Sequence, residues 1–320
     1  MLLRTSSELV TIRINKQIHL YFYDMRNYRR YLGSPKDFFK GVLFLTAKWW
    51  PDELYLKTYY KLTTGKTLDL RHPKTFNEKL NWLKIHNQNP LYNILADKYK
   101  VKDFVRKAIG DKYVVHNYGC WNSFDDINFE ELPNSFVIKT THDSGGVYVC
   151  KDKSNIDVEN LRLRYNKAIK RNYYYRLREW VYKDADPKII ADELLDDSRG
   201  RELIDYKFWC FNGEPKVMYI TNKGANIKEN FYDMDFKPLD INHGFARTTP
   251  EYDMPACFDE MKSLAKKLSQ NIPFVRVDFF YVNGNVYFGE FTFYDWAGLR
   301  PFNGDEWDYK LGSWIDLSKL

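Results

Sequence analysis

The sequence predicts an α+β chain, helical through about its first third and built from short strands after that. Three observations carry the prediction. Thr75-Phe-Asn-Glu78 is a capping-box pattern that opens a helical run. From Tyr113 onward the apolar spacing shifts from helical to alternating. Two alternating segments, 274–281 and 286–292, flank Asn283-Gly284-Asn285, and Asn-Gly between alternating strands is the strongest short hairpin signal.

Composition bounds the function. At 320 residues two lobes, or one domain with a long appendage, are expected. A 44% hydrophobic share and 18% aromatic share supply an ample core and exclude wholesale disorder. The net charge of +6 fits anionic substrates, but the dense basic blocks of a nucleic-acid binder are missing. Cys120, Cys150, Cys210 and Cys257 are scattered, without a CxxC, so a reducing cytoplasmic setting is expected rather than a zinc or disulfide framework. The apolar stretch 38–50 contains Lys40 and Lys48 and is too short to span a bilayer; no signal peptide is evident.

Along the chain, residues 1–70 read as a helical, aromatic-rich extension, with a helix start at Pro51-Asp52. Its rings and interleaved lysines suit a cap on the catalytic body or a helix lying on a membrane surface. Gly65-Lys66-Thr67 is not the end of a P-loop, because Tyr60 stands where the first glycine belongs. A first lobe is expected over 71–190 and a second over 191–320. The first holds the capped helix, a helix carrying Asp97 and Lys98 through Val105, a short strand at Tyr113, and strands at 135–139 and 147–150. A long basic helix over 158–182 and a strand at 188–195 follow. The second lobe holds strands at 205–211, 215–221, 274–281 and 286–292, with a helix at 257–269 between the pairs.

Two clusters carry chemistry. Arg276 and Asp278 share one face of their strand, as do Glu290 and Thr292 on the next. Two carboxylates with a cation and a hydroxyl suit Mg²⁺ on nucleotide phosphates; a salt-bridged sheet face fits the pattern equally. Lys139 ends a buried strand and opens onto Thr140-Thr-His142-Asp-Ser144-Gly145-Gly146. A lysine there needs an anion, and the glycines allow backbone N–H groups to approach phosphate, although a plain hairpin turn is the commoner use of such a loop. By itself Lys98 is an ordinary helical lysine, and 189–195 an ordinary core strand.

In this order the segments resemble the ATP-grasp superfamily, and within it the TupA-like branch associated with cell-surface polysaccharide and teichuronopeptide biosynthesis. The matching words are Pro73-Lys-Thr-Phe-Asn-Glu-Lys79 with Trp82-Leu-Lys84, Ala96-Asp-Lys-Tyr99, Val137 through Gly146, and Glu179-Trp180 with Ile189-Ile-Ala-Asp192. Asp205-Tyr-Lys-Phe208 with Phe211-Asn-Gly213, Phe231-Tyr-Asp233 and Arg276-Val-Asp278 with Phe288-Gly-Glu-Phe-Thr292 complete them. The resemblance implies an ATP-grasp fold, two α+β lobes gripping ATP. It makes Lys98 and Lys139 the phosphate lysines and Thr140–Gly146, with Ser144, Gly145 and Gly146, the flap. Asp192, Glu193 and Leu195 become the adenine-reading hinge, Asp196 or Asp197 a ribose contact, and Lys207 and Lys223 further phosphate contacts. Asp278, Glu290 and Thr292 become the Mg²⁺ ligands, Thr292 standing where the wider superfamily has Asn. Arg276 would stabilise the transferring phosphoryl group or an oxyanion, and His142 would contact acceptor or phosphate.

The implied activity is an amide-forming carboxylate–amine ligase acting through an acyl phosphate. Its partners would be an anionic sugar or polysaccharide precursor and an amine or amino acid, with no nucleic acid and a peripheral contact at the cytoplasmic membrane face. A glycan kinase, a glycosyltransferase and a non-catalytic glycan-binding module are the rival readings.

Overall fold

The computed structural model describes residues 34–196, 203–221 and 227–320. The chain divides into two compact units, Met1–Leu68 and Asp69–Leu320. In the first, α1 (Pro35–Leu45) starts at Ser34, whose Oγ accepts from the Asp37 amide at 3.1 Å. Helix α2 (Asp52–Thr64) starts directly after Pro51, as the sequence predicts. Tyr55, Leu56 and Tyr60 are buried, whereas Phe38, Phe39 and Trp49 are exposed. Residues 1–33 of the expected helical extension lie outside the described residues. No helix among the described residues is long and apolar enough to cross a membrane.

The second unit opens with α3 (Phe76–His86). Its capping box is formed: Thr75 Oγ1 accepts from the Glu78 amide at 3.2 Å, and Glu78 Oε2 accepts from the Thr75 amide at 3.0 Å. Helices α4 (Pro90–Ala96) and α5 (Val101–Ile109) replace the single helix expected through Asp97 and Lys98. Asp97 breaks it with an extended ψ of 118°, and its Oδ1 accepts from the amides of Tyr99 and Lys100, both at 2.9 Å. An Asp side chain bonding the backbone two and three residues on competes with continued helix, so Lys98 sits in a tight turn.

The first sheet is antiparallel in the order β1-β4-β2-β3: β1 (Asn117–Trp121), β2 (Phe136–Thr140), β3 (Val147–Cys150) and β4 (Ile189–Asp192). The strand expected at Tyr113 is a 3₁₀ turn, Asp111–Tyr113. That ring packs into the core and its hydroxyl donates to Glu260 at 2.8 Å, so the chain turns there and the strand begins later. The long helix expected over 158–182 is also interrupted. It becomes α6 (Val158–Ala168), α7 (Tyr174–Leu177) and a 3₁₀ turn at Trp180–Tyr182. Arg178 ends α7 at φ 58°, its buried guanidinium lying over the Tyr174 and Tyr175 rings.

The second sheet has the order β10-β9-β5-β6-β7-β8. Its strands are β5 (Asp205–Phe211), β6 (Glu214–Thr221), β7 (Glu229–Tyr232), β8 (Pro238–Leu239), β9 (Phe274–Val282) and β10 (Asn285–Thr292). One face forms the main core with Met261, Leu264 and Leu268 of α8 (Phe258–Leu268). Helix α9 (Glu306–Ser313) follows the sheet and holds the start of α3: Asp308 Oδ1 accepts from the Asn77 amide at 3.0 Å.

One face of α3 explains the polar residues of its motif. Asn77, Asn81 and Lys84 recur at helical spacing and catch three carbonyls of the segment after β10. Lys84 Nζ donates to Ala297 O at 2.8 Å, Asn81 Nδ2 to Gly298 O at 2.7 Å, and Asn77 Nδ2 to Arg300 O at 3.1 Å. That segment turns left-handed at Trp296 and Ala297, with φ of 46° and 55°. Such conformations cost about 1–3 kcal/mol each in a non-glycine residue and persist only when surrounding contacts fix them. The three side chains supply those contacts. Replacing Asn81 with Ala orphans the buried Gly298 carbonyl, and urea unfolding should show a loss of about 1–3 kcal/mol. An unchanged unfolding midpoint would show that the ladder does not hold the turn.

Candidate active site

The second sheet places its chemistry by register. Lys207 on β5 stands between Tyr219 on β6 and Asp278 on β9; in the next row Trp209, Arg276 and Thr292 are aligned. Strict alternation along β10, which puts Val286 and Phe288 in the core, would send Glu290 inward as well. A bulge prevents this. The pairing shifts between Phe288 and Phe291, so Gly289 and Glu290 together face Asp278. Glu290 and Thr292 turn onto the face of Arg276, and Phe291 returns to the core. Gly289 suits this close approach: a Cβ there would lie 3.1 Å from the Asp278 carbonyl oxygen and 3.3 Å from its Cβ, so the neighbours would have to give by a few tenths of an ångström.

Arg276 is the centre of this face. Its Nε and NH2 donate to the two Asp278 oxygens, each at 2.7 Å, and NH2 also reaches Glu290 Oε1 at 3.1 Å. NH1 meets Asp295 Oδ1 at 2.5 Å and the Tyr219 hydroxyl at 3.2 Å. Lys207 Nζ lies 2.9 Å from Asp278 and 3.2 Å from Asp205. Burial alone would raise the Asp278 carboxyl, but Arg276 and Lys207 outweigh it and hold the group below the usual carboxylate range. Burial opposes the charge on Arg276 and Lys207 too, and Asp278 reverses that in both. The salt-bridged sheet face is therefore real for Asp278. Glu290 differs: its side chain is 44% accessible, and Thr292 Oγ1 lies 3.4 Å from its Oε1.

The first sheet brings a second charge cluster. Lys139 Nζ lies 2.8 Å from Asp192 Oδ2, and Lys102 Nζ 3.2 Å from Asp192 Oδ1. Asn117 Nδ2 donates to the same Oδ1 at 2.8 Å. The anion that Lys139 needs at its strand end is thus a protein carboxylate, shared by two ammonium groups. Burial would raise Asp192, yet Lys139 and Lys102 hold it low. Two cations on one carboxylate leave positive charge beside the Thr140–Gly146 loop.

That loop is anchored at both ends. Tyr165 donates to Ile138 O at 2.8 Å and Gly146 O at 3.0 Å, and Thr141 exchanges bonds with Lys188. Thr140 bonds the Asp143 carboxylate, while Ser144 and Gly145 are exposed at the tip. Lys98, in the turn between α4 and α5, donates to the Asp143 carbonyl. Burial lowers the Lys98 ammonium, and Glu290 is the carboxylate that most opposes this. Lys98, bonded to the flap, and Glu290 of the hairpin thus interact electrostatically. His142 points elsewhere: it is 2% exposed, Nε2 is 3.1 Å from Arg171 O, Nδ1 has no partner among the described residues, and burial lowers its pKa.

Glu193 continues β4 through its amide bond to His116 O at 2.9 Å, Leu195 is half-buried, and Asp196 O accepts from Asn283 at 3.0 Å. Lys223 and Asp197 lie outside the described residues. Sequence reasoning missed Asp295, Tyr219, Lys102 and Asn117. Lys102 was within reach, four residues after Lys98 on a helical pattern. The donors at the hairpin are hard oxygens, which suits a magnesium ion. No group of three His, Cys, Asp or Glu residues among those described could hold a metal ion unaided. Glu290, with Thr292 Oγ1 3.4 Å from its Oε1, keeps the accessible oxygens such an ion would share with phosphate, whereas both Asp278 oxygens are bonded by Arg276 and Lys207.

A family model for TupA-like ATP-grasp proteins matches residues 78–316. No curated protein matches. Similar solved structures include D-alanine–D-alanine ligase from Bacillus anthracis, at 20% identity over 62% of this chain and 56% of that one, TM-score 0.36. The ligase of the same name from Helicobacter pylori shares 15% identity over 75% of this chain and 69% of that one, TM-score 0.37. An ADP complex of N5-carboxyaminoimidazole ribonucleotide synthetase shares 16% identity over 78% and 58%, TM-score 0.41. The chain spans little more than half the length of the first of these.

Because the folded Asp278 carboxyl is held low, its contribution is present above the unfolded pKa, about 3.9, and is lost as pH falls through the folded value. Replacing Asp278 with Asn should cost about 3–5 kcal/mol at neutral pH, because it strips the buried Arg276 of its bidentate partner. The same change should flatten the acid limb of the stability–pH curve in urea titrations. An acid limb unchanged in D278N would exclude this linkage.

Proposed function

The chain belongs to the TupA-like ATP-grasp family, and we propose that it is an ATP- and Mg²⁺-dependent carboxylate–amine ligase. It activates a carboxylate as an acyl phosphate and joins it to an amine. The substrates we assign are a uronic acid-type sugar of a cell-surface polysaccharide precursor and an amine or amino acid. One feature supports the reading: Glu290 of the hairpin is the carboxylate that most favours the charge on buried Lys98, which itself donates to the Asp143 carbonyl of the flap.

The residues divide the work. Lys139, paired with Asp192, and Lys98 face phosphate oxygens under the Ser144–Gly146 tip. Bound Mg²⁺ neutralises phosphate charge, and Asp278, Glu290 and Thr292 are the donors that would hold it. Arg276, its donors taken by Asp278, Glu290, Asp295 and Tyr219, contributes a fixed positive charge beside the phosphates rather than a free donor. Lys207 adds to Arg276 in keeping Asp278 ionised. The Asp192–Leu195 strand end takes the adenine side, and Lys223 adds a phosphate contact. His142, buried behind the flap, acts on loop placement rather than on acceptor. We place the protein in the cytoplasm, with exposed Phe38, Phe39 and Trp49 beside Lys36, Lys40 and Lys48 supporting a peripheral membrane contact.

Purified protein with ATP, Mg²⁺, uronic acids and amino acids should release ADP and phosphate in step with an amide product. Phosphorylated sugar with no free phosphate would identify a glycan kinase instead. Replacing Glu290 with Gln should lower turnover by about 100-fold or more while circular dichroism stays unchanged. Full activity in E290Q would refute the metal assignment.

A further inference from the structure

Beside the Arg276 network, three buried side chains hold polar atoms with no partner among the described residues: Glu229 Oε2, Asp295 Oδ2 and His243 Nδ1. Their residues are 3%, 1% and 1% exposed. A buried carboxylate oxygen left without a donor is costly, and such orphans in a folded protein call for an occupant. The three belong to one neighbourhood. Asp295 is bound to Arg276 on one oxygen only, and it is the charge that most disfavours ionised Glu229. His243 packs against Trp209, Trp296 and Phe302, and it too feels Asp295.

The mouth of this cluster is built rather than incidental. Arg300 is clamped with its guanidinium 4.0 Å from both the Phe245 and Trp296 ring centroids. Trp296 remains 45% exposed. The left-handed turn that sets Trp296 is the one held by Asn77, Asn81 and Lys84, so the fold spends three buried polar side chains on aiming this segment. Glu229 lies on the same sheet face as Lys207 and Asp278, reached through its register partner Thr221 and that residue's partner Asp205.

We propose that Glu229 and Asp295 form the site for the amine co-substrate, taking its ammonium group on their free oxygens, with Glu229 accepting the proton that must leave before attack. This rests on the ligase reading above. One N–H proton passes from the ammonium to Glu229 Oε2. The freed nitrogen lone pair forms the C–N bond at the activated carboxyl carbon, the carbon–oxygen bond to phosphate breaks, and the departing phosphate takes the second N–H proton and leaves as hydrogen phosphate. Burial, then Asp295, raise Glu229 to about 7, against the lowering effect of Arg300, Arg276 and Lys207. A base with a pKa near the working pH is well placed for this transfer. Burial holds His243 down to about 4, so it faces the site as a neutral ring. The chemical class is therefore a protonated primary amine, with Arg300 at the mouth available to a carboxylate on the same molecule.

The test uses full-length protein with ATP, Mg²⁺ and a panel of free uronic acids. Positional isotope exchange in ¹⁸O-labelled ATP, measured without amine, reports carboxylate activation alone. Ammonium ion is then the protonated amine probe, and hydroxylamine the neutral one. In E229Q, kcat/KM for ammonium should fall about 100-fold, with isotope exchange retained and hydroxylamine coupling far less affected. In the unmodified protein, kcat/KM for ammonium should rise with pH through about 7 and then level, the profile set by Glu229. Equal losses for both amines, a loss of isotope exchange in E229Q, or unchanged ammonium kinetics would each overturn the proposal and leave ordered water as the occupant. If E229Q does not fold, a wild-type profile without that inflection overturns it. Absence of isotope exchange in wild type would overturn the ligase reading, and this inference with it.

Discussion

A guanidinium set into a sheet face survives only if anions surround it, and Arg276 is placed with three carboxylates and a phenol around one side chain. Much else follows from that requirement. Asp278 is kept ionised by it, Glu290 is drawn toward it by a bulge, and Asp295 is pulled in from the segment after the hairpin. Removing one partner of such a buried network is far costlier than its net contribution suggests, because a desolvated charge is left behind. The arrangement is better understood as fixing geometry than as storing stability.

A second constraint ties this face to the start of the domain. The segment from Asp295 to Arg300 runs through left-handed backbone, and α3 catches its carbonyls with Asn77, Asn81 and Lys84. Lys84 is itself nearly desolvated; burial takes its ammonium down to about 8 despite Glu179. The helix that opens the domain thus orients Asp295, which orients Arg276, which orients Asp278 and Glu290. On the opposite side the flap depends on a smaller balance, in which Lys139 and Lys102 divide one carboxylate and Lys98 holds the loop through the Asp143 carbonyl.

Where local chemistry decides structure, the sequence was readable. The Thr75–Glu78 capping box, the Asn283-Gly284 turn and the Ser135–Cys150 strand–loop–strand segment all express short-range rules. The α+β character and the family followed from motif order. The misreadings arose where a side chain overrode propensity. Asp97 bonded its own backbone and broke a helix, Arg178 turned left-handed over two tyrosines, and Tyr113 left its strand pattern to reach Glu260. Within the site, the pairing of Asp278 with Arg276 was legible from two-residue spacing. The bulge that brings Glu290 to them was not, because strict alternation places that residue in the core. Asp295 and Asp192 were invisible as network members for a simpler reason: their partners lie on distant strands, and no periodicity links them.

The central claim is that the lysines of the flap region and the acids of the hairpin form one site for a magnesium nucleotide. Calorimetric titration of the wild-type chain with a non-hydrolysable ATP analogue, in Mg²⁺ and again in EDTA, tests it most directly. The account predicts saturable binding that is at least about tenfold tighter with Mg²⁺, or about 1.4 kcal/mol. No binding, or equal affinity in EDTA, would contradict it.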